Sequence, residues 1–182
     1  MGNPAQGRGV TTTAKYFWGP ASALGLIVAV STCVLDQALK LWVLHGLQLA
    51  GRGRVAMAPF VDFVLTWNTG ISYGWFQQEG PFGQGALLAL KVVAVALLWI
   101  WLARASSRLS AVALGLIIGG AIGNGIDRLI FGAVADFVLL HAETATWRFN
   151  WYVFNLADVA IVAGVIGLLY ESLVGGSAPK AP

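Results

Sequence analysis

Four long runs of apolar residues dominate the pattern of hydrophobic and polar positions along the chain. Each is close to the length of about 20 residues that a helix needs to cross about 30 Å of hydrocarbon. The runs cover residues 21–44, 85–102, 111–131 and 152–174. The pattern therefore predicts an all-α membrane protein, in which a bundle of four transmembrane helices occupies residues 20–174. Residues 1–19 and 175–182 are predicted to be tails.

The longest segment between the runs, residues 45–84, has a different pattern. β-Branched and aromatic residues fill positions 61–67, with Pro59 before them and a turn sequence after them. This predicts a strand, and with it a small extracytoplasmic β-sheet and loop subdomain that lies on the bundle. Glycines in residues 70–85 make the remainder flexible enough to act as a cover. A second loop, residues 140–150, is predicted on the same face.

Composition supports the membrane prediction, since 58% of the residues are hydrophobic and only 10% are charged. The formal net charge is +3, but the basic residues are scattered singly and form no stripe that would bind nucleic acid. We interpret them as topology signals, because cytoplasmic loops are enriched in Lys and Arg. Five of them predict that both termini are cytoplasmic: Arg8, Lys15, Arg104, Arg108 and Lys180. Three others oppose this assignment: Arg52, Arg54 and Arg148.

Two aspartates, Asp136 and Asp158, stand at the margins of the last two apolar runs. A carboxylate beside hydrocarbon is costly, and residues of this kind usually serve a function. The predicted topology places Asp136 just beyond the extracytoplasmic end of span three. It places Asp158 about 10 Å below the interface in span four, at 1.5 Å per residue. Both carboxylates can then meet at one depth if the two helices pack side by side.

Such a pair cannot ionise twice at low cost, so one carboxyl keeps its proton while the other acts as a base. Together they can activate a water for attack on an amide carbonyl and protonate the leaving nitrogen. No metal and no nucleophilic side chain are required. The alternative is that Asp136 and Asp158 each cap a helix or pair with an arginine.

The glycine-rich residues 119–128 are the second informative run. Their glycines allow another helix or a ligand to approach the backbone closely. Asn124, Asp127 and Arg128 add polar groups at a depth where lipid tolerates none unpaired. We assign Asp127 a structural role, within a region of Asp127 and Arg128 that is held by local pairing.

Other polar residues have two interpretations each. Asp36 and Lys40 are four positions apart on one helical face, which favours an ion pair. Asn68 and Asn155 can grip a substrate backbone or orient a carboxylate, but they can equally be a turn residue and a helix cap. Lys91 stands alone in span two and either extends to the interface or points into the bundle.

Metal chemistry has little support in the sequence. Cys33 is the only cysteine, which excludes an internal disulfide and a cysteine cluster. The two histidines, His45 and His141, do not have the spacing of a two-histidine zinc motif. We therefore expect no metal and no cofactor.

Five motifs, taken together, resemble those of the bacterial lipoprotein signal peptidases (signal peptidase II), over residues 20–174. The motifs are Asp36-Gln37-Ala38-Leu39-Lys40, Asn68-Thr69-Gly70, Gly119-Gly120-Ala121-Ile122-Gly123-Asn124-Gly125-Ile126-Asp127-Arg128, Val134-Ala135-Asp136-Phe137 and Phe154-Asn155-Leu156-Ala157-Asp158. The resemblance implies an aspartyl endopeptidase of the bacterial inner membrane, with four helices, both termini cytoplasmic and its site near the periplasmic face. Two departures from the common pattern, Ser72-Tyr73 and Gly125, affect the substrate groove and local packing.

The resemblance also implies the roles of particular residues. The catalytic pair falls on Asp136 and Asp158, and not on Asp127. The supporting, substrate-binding residues fall on Asp36, Lys40, Asn68, Asn124, Arg128 and Asn155. The implied substrate is a prolipoprotein whose cysteine already carries diacylglycerol, and cleavage removes the signal peptide just before that cysteine. Membrane lipid and the inhibitor globomycin are the other implied partners, and we expect a monomer.

Two other classes of function remain open from the residues. A small transporter or proton relay could use the intramembrane carboxylates as carriers, but it would predict internal repeats, which the sequence does not show. A lipid head-group transferase would need a denser aspartate cluster for a divalent metal than Asp136 and Asp158 supply.

Overall fold

The computed structural model describes residues 17–70, 81–144 and 146–175. In these residues the long helices are α1 (Ser22–Leu41), α3 (Pro81–Arg104), α4 (Arg108–Phe131) and α5 (Leu156–Gly175). A π-helical turn, Trp42–Gly46, continues α1, and a short helix, α2 (Leu49–Arg52), follows it. The strands are β1 (Val55–Ala58), β2 (Val61–Asn68), β3 (Val134–Glu143) and β4 (Arg148–Asn150).

Four helical segments have the length and composition to cross a membrane, which confirms the predicted four-helix architecture. They are Ser22–Gly46, Phe82–Arg104, Arg108–Phe131 and Leu156–Val174. The third segment lies at the centre of the bundle, since 56% of its most apolar window is buried, against 11–28% for the others. The other three segments therefore surround α4 and present most of their surface to lipid.

Glycines make this central position possible. A Cβ atom on Gly115 or Gly119 of α4 would clash with the backbone of α1, and one on Gly120 would lie 2.5 Å from the carbonyl oxygen of Ala157 on α5. Small residues of this kind let helix backbones approach closely in a membrane. The predicted glycine contact face is confirmed, and it brings α1 and α5 against neighbouring faces of α4, where Ala157 of α5 also bonds to Asp36 of α1.

The fourth span begins four residues later than predicted, at Leu156 and not at Tyr152. Phe154 prevents the helix from beginning earlier. Its backbone N–H and its carbonyl oxygen both bond to Val138 on β3, at 3.1 and 2.8 Å. Asn155 then caps the helix. A chain that is paired as a strand cannot also be helical, so the apolar residues before Leu156 extend the sheet instead of the span.

The small sheet is confirmed and is larger than predicted. It is antiparallel, with strand order β1-β2-β3-β4. Strand β2 contains the predicted strand, whereas β3 was not predicted and overlaps the segment that was expected to be a second loop. The sheet packs on the end of the first span through the fully buried side chains of Val43, Leu49 and Phe137. In this register Asp136 of β3 lies opposite Thr66 of β2.

Part of the predicted flexible cover is helical, because α3 begins at Pro81 and includes Gly83 and Gly85. The rest of the cover, residues 71–80, lies outside the described residues, as does the Ser72-Tyr73 departure. Most of the two predicted tails, 1–16 and 176–182, also lie outside them.

Candidate active site

Asp136 is held by the sheet. It is only 3% exposed, although β3 lies outside the membrane-spanning segments. The side-chain amide of Asn68, on the neighbouring strand β2, donates to Asp136 Oδ2 at 3.1 Å. The carbonyl oxygen of the same amide accepts the backbone N–H of Gly70 at 3.0 Å, which fixes the orientation of the amide. The strand pairing therefore places one carboxylate and one donor that points at it.

Asp158 is held by the start of α5 through a reciprocal cap with Asn155. The backbone N–H of Asp158 donates to Asn155 Oδ1 at 3.1 Å, and the backbone N–H of Asn155 donates to Asp158 Oδ2 at 3.2 Å. This is the geometry of a capping box, in which residues three apart satisfy each other's free N–H groups. Asp158 therefore lies in the first turn of its helix, and the helix start at Tyr152, from which its depth of about 10 Å below the interface was predicted, is wrong.

Two asparagines connect the carboxylates. The side-chain amide of Asn155 donates to Asp136 Oδ1 at 2.6 Å and to Asn124 Oδ1 at 3.0 Å. The amide of Asn124 in turn donates to Asp158 Oδ1 at 2.9 Å. Asp136 and Asp158 line one cavity of about 120 Å³. The structure thus brings together the two aspartates that the sequence analysis paired, in a space that exceeds the roughly 30 Å³ of one water molecule.

Burial, followed by the negative charge of Asp158, raises the pKa of Asp136 to about 7. The hydrogen bonds from Asn68 and Asn155 oppose this rise, since they favour the ionised form. A proton shared by the pair near neutral pH follows from two carboxylates in one cavity. Such a pair contains one proton donor and one base, which is what water activation at an amide requires.

The buried ammonium group of Lys40 lies next to this cavity and bonds to Asn124, which lines it. Lys40 Nζ contacts Asp36 Oδ2 at 2.9 Å, Asp127 Oδ2 at 2.8 Å and Asn124 Oδ1 at 2.9 Å. These contacts use all three hydrogens of the ammonium group. Asp36 also accepts the backbone N–H of Ala157 at 3.0 Å. The predicted pair of Asp36 and Lys40 is confirmed, but neither residue lines the cavity.

Asp127 does not line the cavity either. Besides Lys40, it accepts the backbone N–H of Ala135 at 3.1 Å and the side-chain amide of Gln37 at 2.9 Å. These bonds tie α1, α4 and the start of β3 together, as expected of a structural residue. The predicted local pairing with Arg128 is wrong, because consecutive residues of a helix point in different directions.

Arg128 does line the cavity, and it binds the chain beside it. Its guanidinium donates to the carbonyl oxygen of Gly70 and, at 2.8 Å, to Gln84 Oε1. Gln84 donates in turn to the carbonyl oxygen of Thr69 at 2.6 Å. Arg128 therefore connects the end of β2 with the start of α3, next to the two aspartates.

Three polar residues near the site were not assigned to it from the sequence: Gln37, Gln84 and Lys91. Gln37 had a signal, since it lies between two residues of the first motif. Lys91 lines the cavity with Asp136 and Asp158, and its only signal was its isolation in an apolar run. In the described part of the chain, no group of three or more His, Cys, Asp or Glu residues is placed to hold a metal ion.

These features define a class: a multi-pass membrane protein with a paired-carboxylate site where a central helix bundle meets a small sheet. The family model for signal peptidase (SPase) II matches residues 28–174. The chain therefore belongs to the signal peptidase II family, which makes it a protease and confirms the resemblance of its motifs.

Curated relatives agree with the family model. The chain is 59% identical over 159 residues to the lipoprotein signal peptidase of Rhodopseudomonas palustris strain TIE-1, covering 87% of this chain and 97% of that one. It is 58% identical over 158 residues to the lipoprotein signal peptidase of Nitrobacter hamburgensis, covering 87% and 96%. The function expected from the motifs is confirmed at this level, and the transporter alternative is not favoured.

Solved structures support the fold. A protein described as "Bacterial membrane enzyme structure by the in meso method at 2.3 A resolution" superposes with a TM-score of 0.68 at 22% identity, covering 88% of this chain and 94% of that one. A second, described in the same words at 1.9 Å, has a TM-score of 0.66, also at 22% identity, covering 83% and 93%. The likeness confirms the fold class.

Proposed function

We propose that this protease removes the signal peptide from diacylglyceryl-modified prolipoproteins, immediately before the lipidated cysteine, with Asp136 and Asp158 as its catalytic pair. The observation that supports this most directly is the cavity that Asp136 and Asp158 both line, while Asn155 bonds to both of them. Curated relatives that match nearly the whole chain are named lipoprotein signal peptidases. The pair supplies the hydrolytic chemistry, and the family supplies the substrate class.

The mechanism follows from the two environments. We assign the base to Asp158, which accepts two hydrogen bonds, and the proton to Asp136, whose pKa is raised to about 7. Asp158 takes a proton from a water whose oxygen attacks the scissile carbonyl carbon, while Asp136 donates its proton to the carbonyl oxygen. The tetrahedral intermediate then collapses. Its C–N bond breaks, the leaving nitrogen takes the proton from Asp158, and the hydroxyl proton returns to Asp136.

The surroundings of the pair support lateral entry of a lipid-bound substrate. A groove of about 500 Å³ runs from Asp136 and Asp158 along apolar residues of α5, among them Val159, Val162 and Ile166. This face of the helix is long and apolar enough to lie in the membrane. A signal helix or an acyl chain in the bilayer can reach the carboxylates along it without passing through water. Globomycin, as a peptide, would compete for the same cavity.

The proposed setting is the bacterial inner membrane, with both termini cytoplasmic and the sheet and cavity at the periplasmic face. Arg104 ends α3 and Arg108 begins α4, at the opposite end of the bundle from Asp136, which agrees with the positive-inside rule. We propose that the protein acts there as a monomer on its substrate and the surrounding lipid, without nucleic acid or metal.

The test is cleavage of a purified diacylglyceryl prolipoprotein, followed by gel shift, in detergent or lipid. Wild-type protein should cleave it, globomycin should stop cleavage, and a chelator should have no effect. Asp136→Asn and Asp158→Asn should each lower the rate by at least about 10³, because either change removes the donor or the base. Glu143→Gln is the matched control, since this exposed carboxylate pairs with Arg148 away from the cavity. Substantial turnover by either folded asparagine variant would refute the dyad.

A further inference from the structure

Lys91 is the remaining charged residue of the cavity without an assigned role. It lies on α3, and its side chain lines the cavity together with Asp136, Asp158 and Arg128. Among the residues that the structure describes, it forms neither a hydrogen bond nor an ion pair within 4 Å. Lys91 was expected either to extend to the interface or to point into the bundle, and the structure confirms that it points into the bundle.

The depth of Lys91 makes this position informative. It follows Phe82, the start of the span, by nine residues, which is about 14 Å along the helix axis. An ammonium group at such a depth costs at least about 3 kcal/mol unless a counter-charge or water compensates it. The carboxylates of the cavity are the counter-charges that this position offers.

The neighbouring cations are already engaged. Lys40 gives its three hydrogens to Asp36, Asp127 and Asn124. Arg128 donates to Gly70 and to Gln84. Neither cation bonds to Asp136 or Asp158, although the buried Nε of Arg128 has no hydrogen-bond partner among the described residues. Of the cations that line the cavity, Lys91 is the one whose ammonium hydrogens are all unused within the described part of the chain.

The charges balance only if Lys91 is counted. The charged groups that surround the cavity are Asp36 and Lys40 on α1, Lys91 on α3, Asp127 and Arg128 on α4, Asp136 on β3 and Asp158 on α5. Three cations thus stand among four carboxylates, and the cluster is neutral when the catalytic pair holds one proton. Without Lys91 the same cluster would carry a negative charge inside the membrane, or the pair would hold two protons and lack a base.

We propose that Lys91 is a positioning residue of the hydrolytic site, whose ammonium group keeps one carboxylate of the Asp136 and Asp158 pair ionised. This inference rests on the proposed function, because it assigns a group that acts through the catalytic pair. The cation does not touch the scissile bond. It sets the pH above which the pair contains a base.

The experiment is the pH profile of kcat/KM for Lys91→Met, Lys91→Arg and wild type, with the lipidated substrate. Removal of a cation disfavours the ionised carboxylate, so the acid limb for Lys91→Met should move up by about one pH unit or more. The rate on that limb should fall about tenfold, and the profiles should converge at higher pH. Lys91→Arg should keep the wild-type limb. Arg104→Met is the matched control, because it removes an exposed cation of the same helix about 20 Å away.

A second measurement needs no cleavage and separates this inference from the proposed function. Infrared titration of the protonated carboxyl band follows the pair directly, and the part that disappears in Asp136→Asn or Asp158→Asn belongs to it. The band should persist to higher pH in Lys91→Met, or in Lys91→Gln if the methionine variant does not fold. An unchanged titration together with an unchanged acid limb would overturn the role of Lys91. If the titration shifts in Lys91→Met but the wild-type protein cleaves no lipidated substrate, only the proposed function is refuted.

Discussion

Asn155 and Asp158 cap each other at the start of α5, and the side-chain amide of the same asparagine donates to Asp136 on β3. One residue therefore ends the extended segment, begins the last helix and connects both carboxylates of the proposed catalytic pair. The sequence Asn-Leu-Ala-Asp therefore helps to position the site and, together with the pairing of Phe154 with Val138, sets the start of the fourth span.

Replacement of Asn155 should separate these two tasks. Asn155→Ala removes the helix cap, which costs about 1 kcal/mol of stability, and also removes the amide that donates to Asp136 and Asn124. We expect kcat to fall by about 10² with a smaller change in KM, because the carboxylates lose orientation. Kinetics and thermal unfolding of the purified variant measure the two effects.

Asn155→Ser is the matched variant, because a serine hydroxyl can still accept the N–H of Asp158 but cannot replace the amide donors. It should restore most of the stability and little of the activity. Recovery of both together would show that the cap, and not the amide bridge, is what activity requires.

The pKa of Asp136 predicts how stability depends on pH. Folded protein keeps this proton to about pH 7, whereas an unfolded aspartate loses it near pH 3.9. The folded state binds more protons in that window, so Asp136 lowers the stability as pH rises from about 4 to 7, with no further change above. Between pH 5 and pH 8 the free energy of unfolding therefore falls by about 3 kcal/mol, because only the roughly two pH units below pH 7 contribute, at about 1.4 kcal/mol each.

Asp136→Asn cannot titrate and should lose this dependence. The difference in unfolding temperature between pH 5 and pH 8 should therefore be smaller in Asp136→Asn than in wild type, while Glu143→Gln should behave as wild type. Thermal unfolding in detergent at the two pH values checks this. Equal pH dependence in Asp136→Asn and wild type would contradict the raised pKa.

The buried ion cluster predicts a severe effect of Lys40→Met. This change leaves Asp36 and Asp127 without their cation, and an unpaired buried charge costs about 3–5 kcal/mol. Little folded protein should accumulate in the membrane. Addition of Asp127→Asn to Lys40→Met should recover part of the loss, because one of the stranded charges is then removed. Unfolding temperatures and membrane abundance are the measurements.

Asp127→Asn alone should lower stability and abundance while the folded molecules remain active, since Asp127 does not line the cavity. A well-folded but inactive Asp127→Asn protein would move this residue into the catalytic machinery.

Glycine positions on α4 give a further pair of variants. A methyl group on Gly120 would lie 2.5 Å from the backbone oxygen of Ala157, which cannot move unless α5 moves with it. Gly120→Ala should therefore lower both stability and activity, since α5 carries Asp158. Gly125→Ala has open space around the new methyl and should be neutral or stabilising by up to about 1 kcal/mol. Equal effects of the two changes on unfolding temperature would contradict the close packing of α4 and α5.

The helices could be predicted because length and apolar composition alone identify a membrane span. Strand β3 could not, since residues 134–137 are all buried and no alternation of polar and apolar positions marks a strand. The start of α5 was predicted too early for a related reason. Tyr152 and Phe154 are as apolar as the helix that follows, and only the pairing of Phe154 with Val138 excludes them from it.

The meeting of Asp136 and Asp158 in one cavity could be predicted because carboxylates beside hydrocarbon are rare and need a reason. The role of Lys91 could not, because α3 is apolar around its whole circumference and its sequence does not show which side faces the bundle. The partner of Arg128 was equally hidden, since Gly70 and Gln84 approach it only when the sheet and α3 have docked.

The bond from the backbone N–H of Ala157 to Asp36 imposes an order on biosynthesis. The two residues are 121 positions apart, so at about 5–20 residues per second the ribosome makes the first about 6–24 s before the second. During that interval Asp36 and Lys40 have each other but not the last helix. The proposed catalytic pair is completed only when that helix enters the bilayer, so a nascent chain lacks the pair until the residues of α5 have been made.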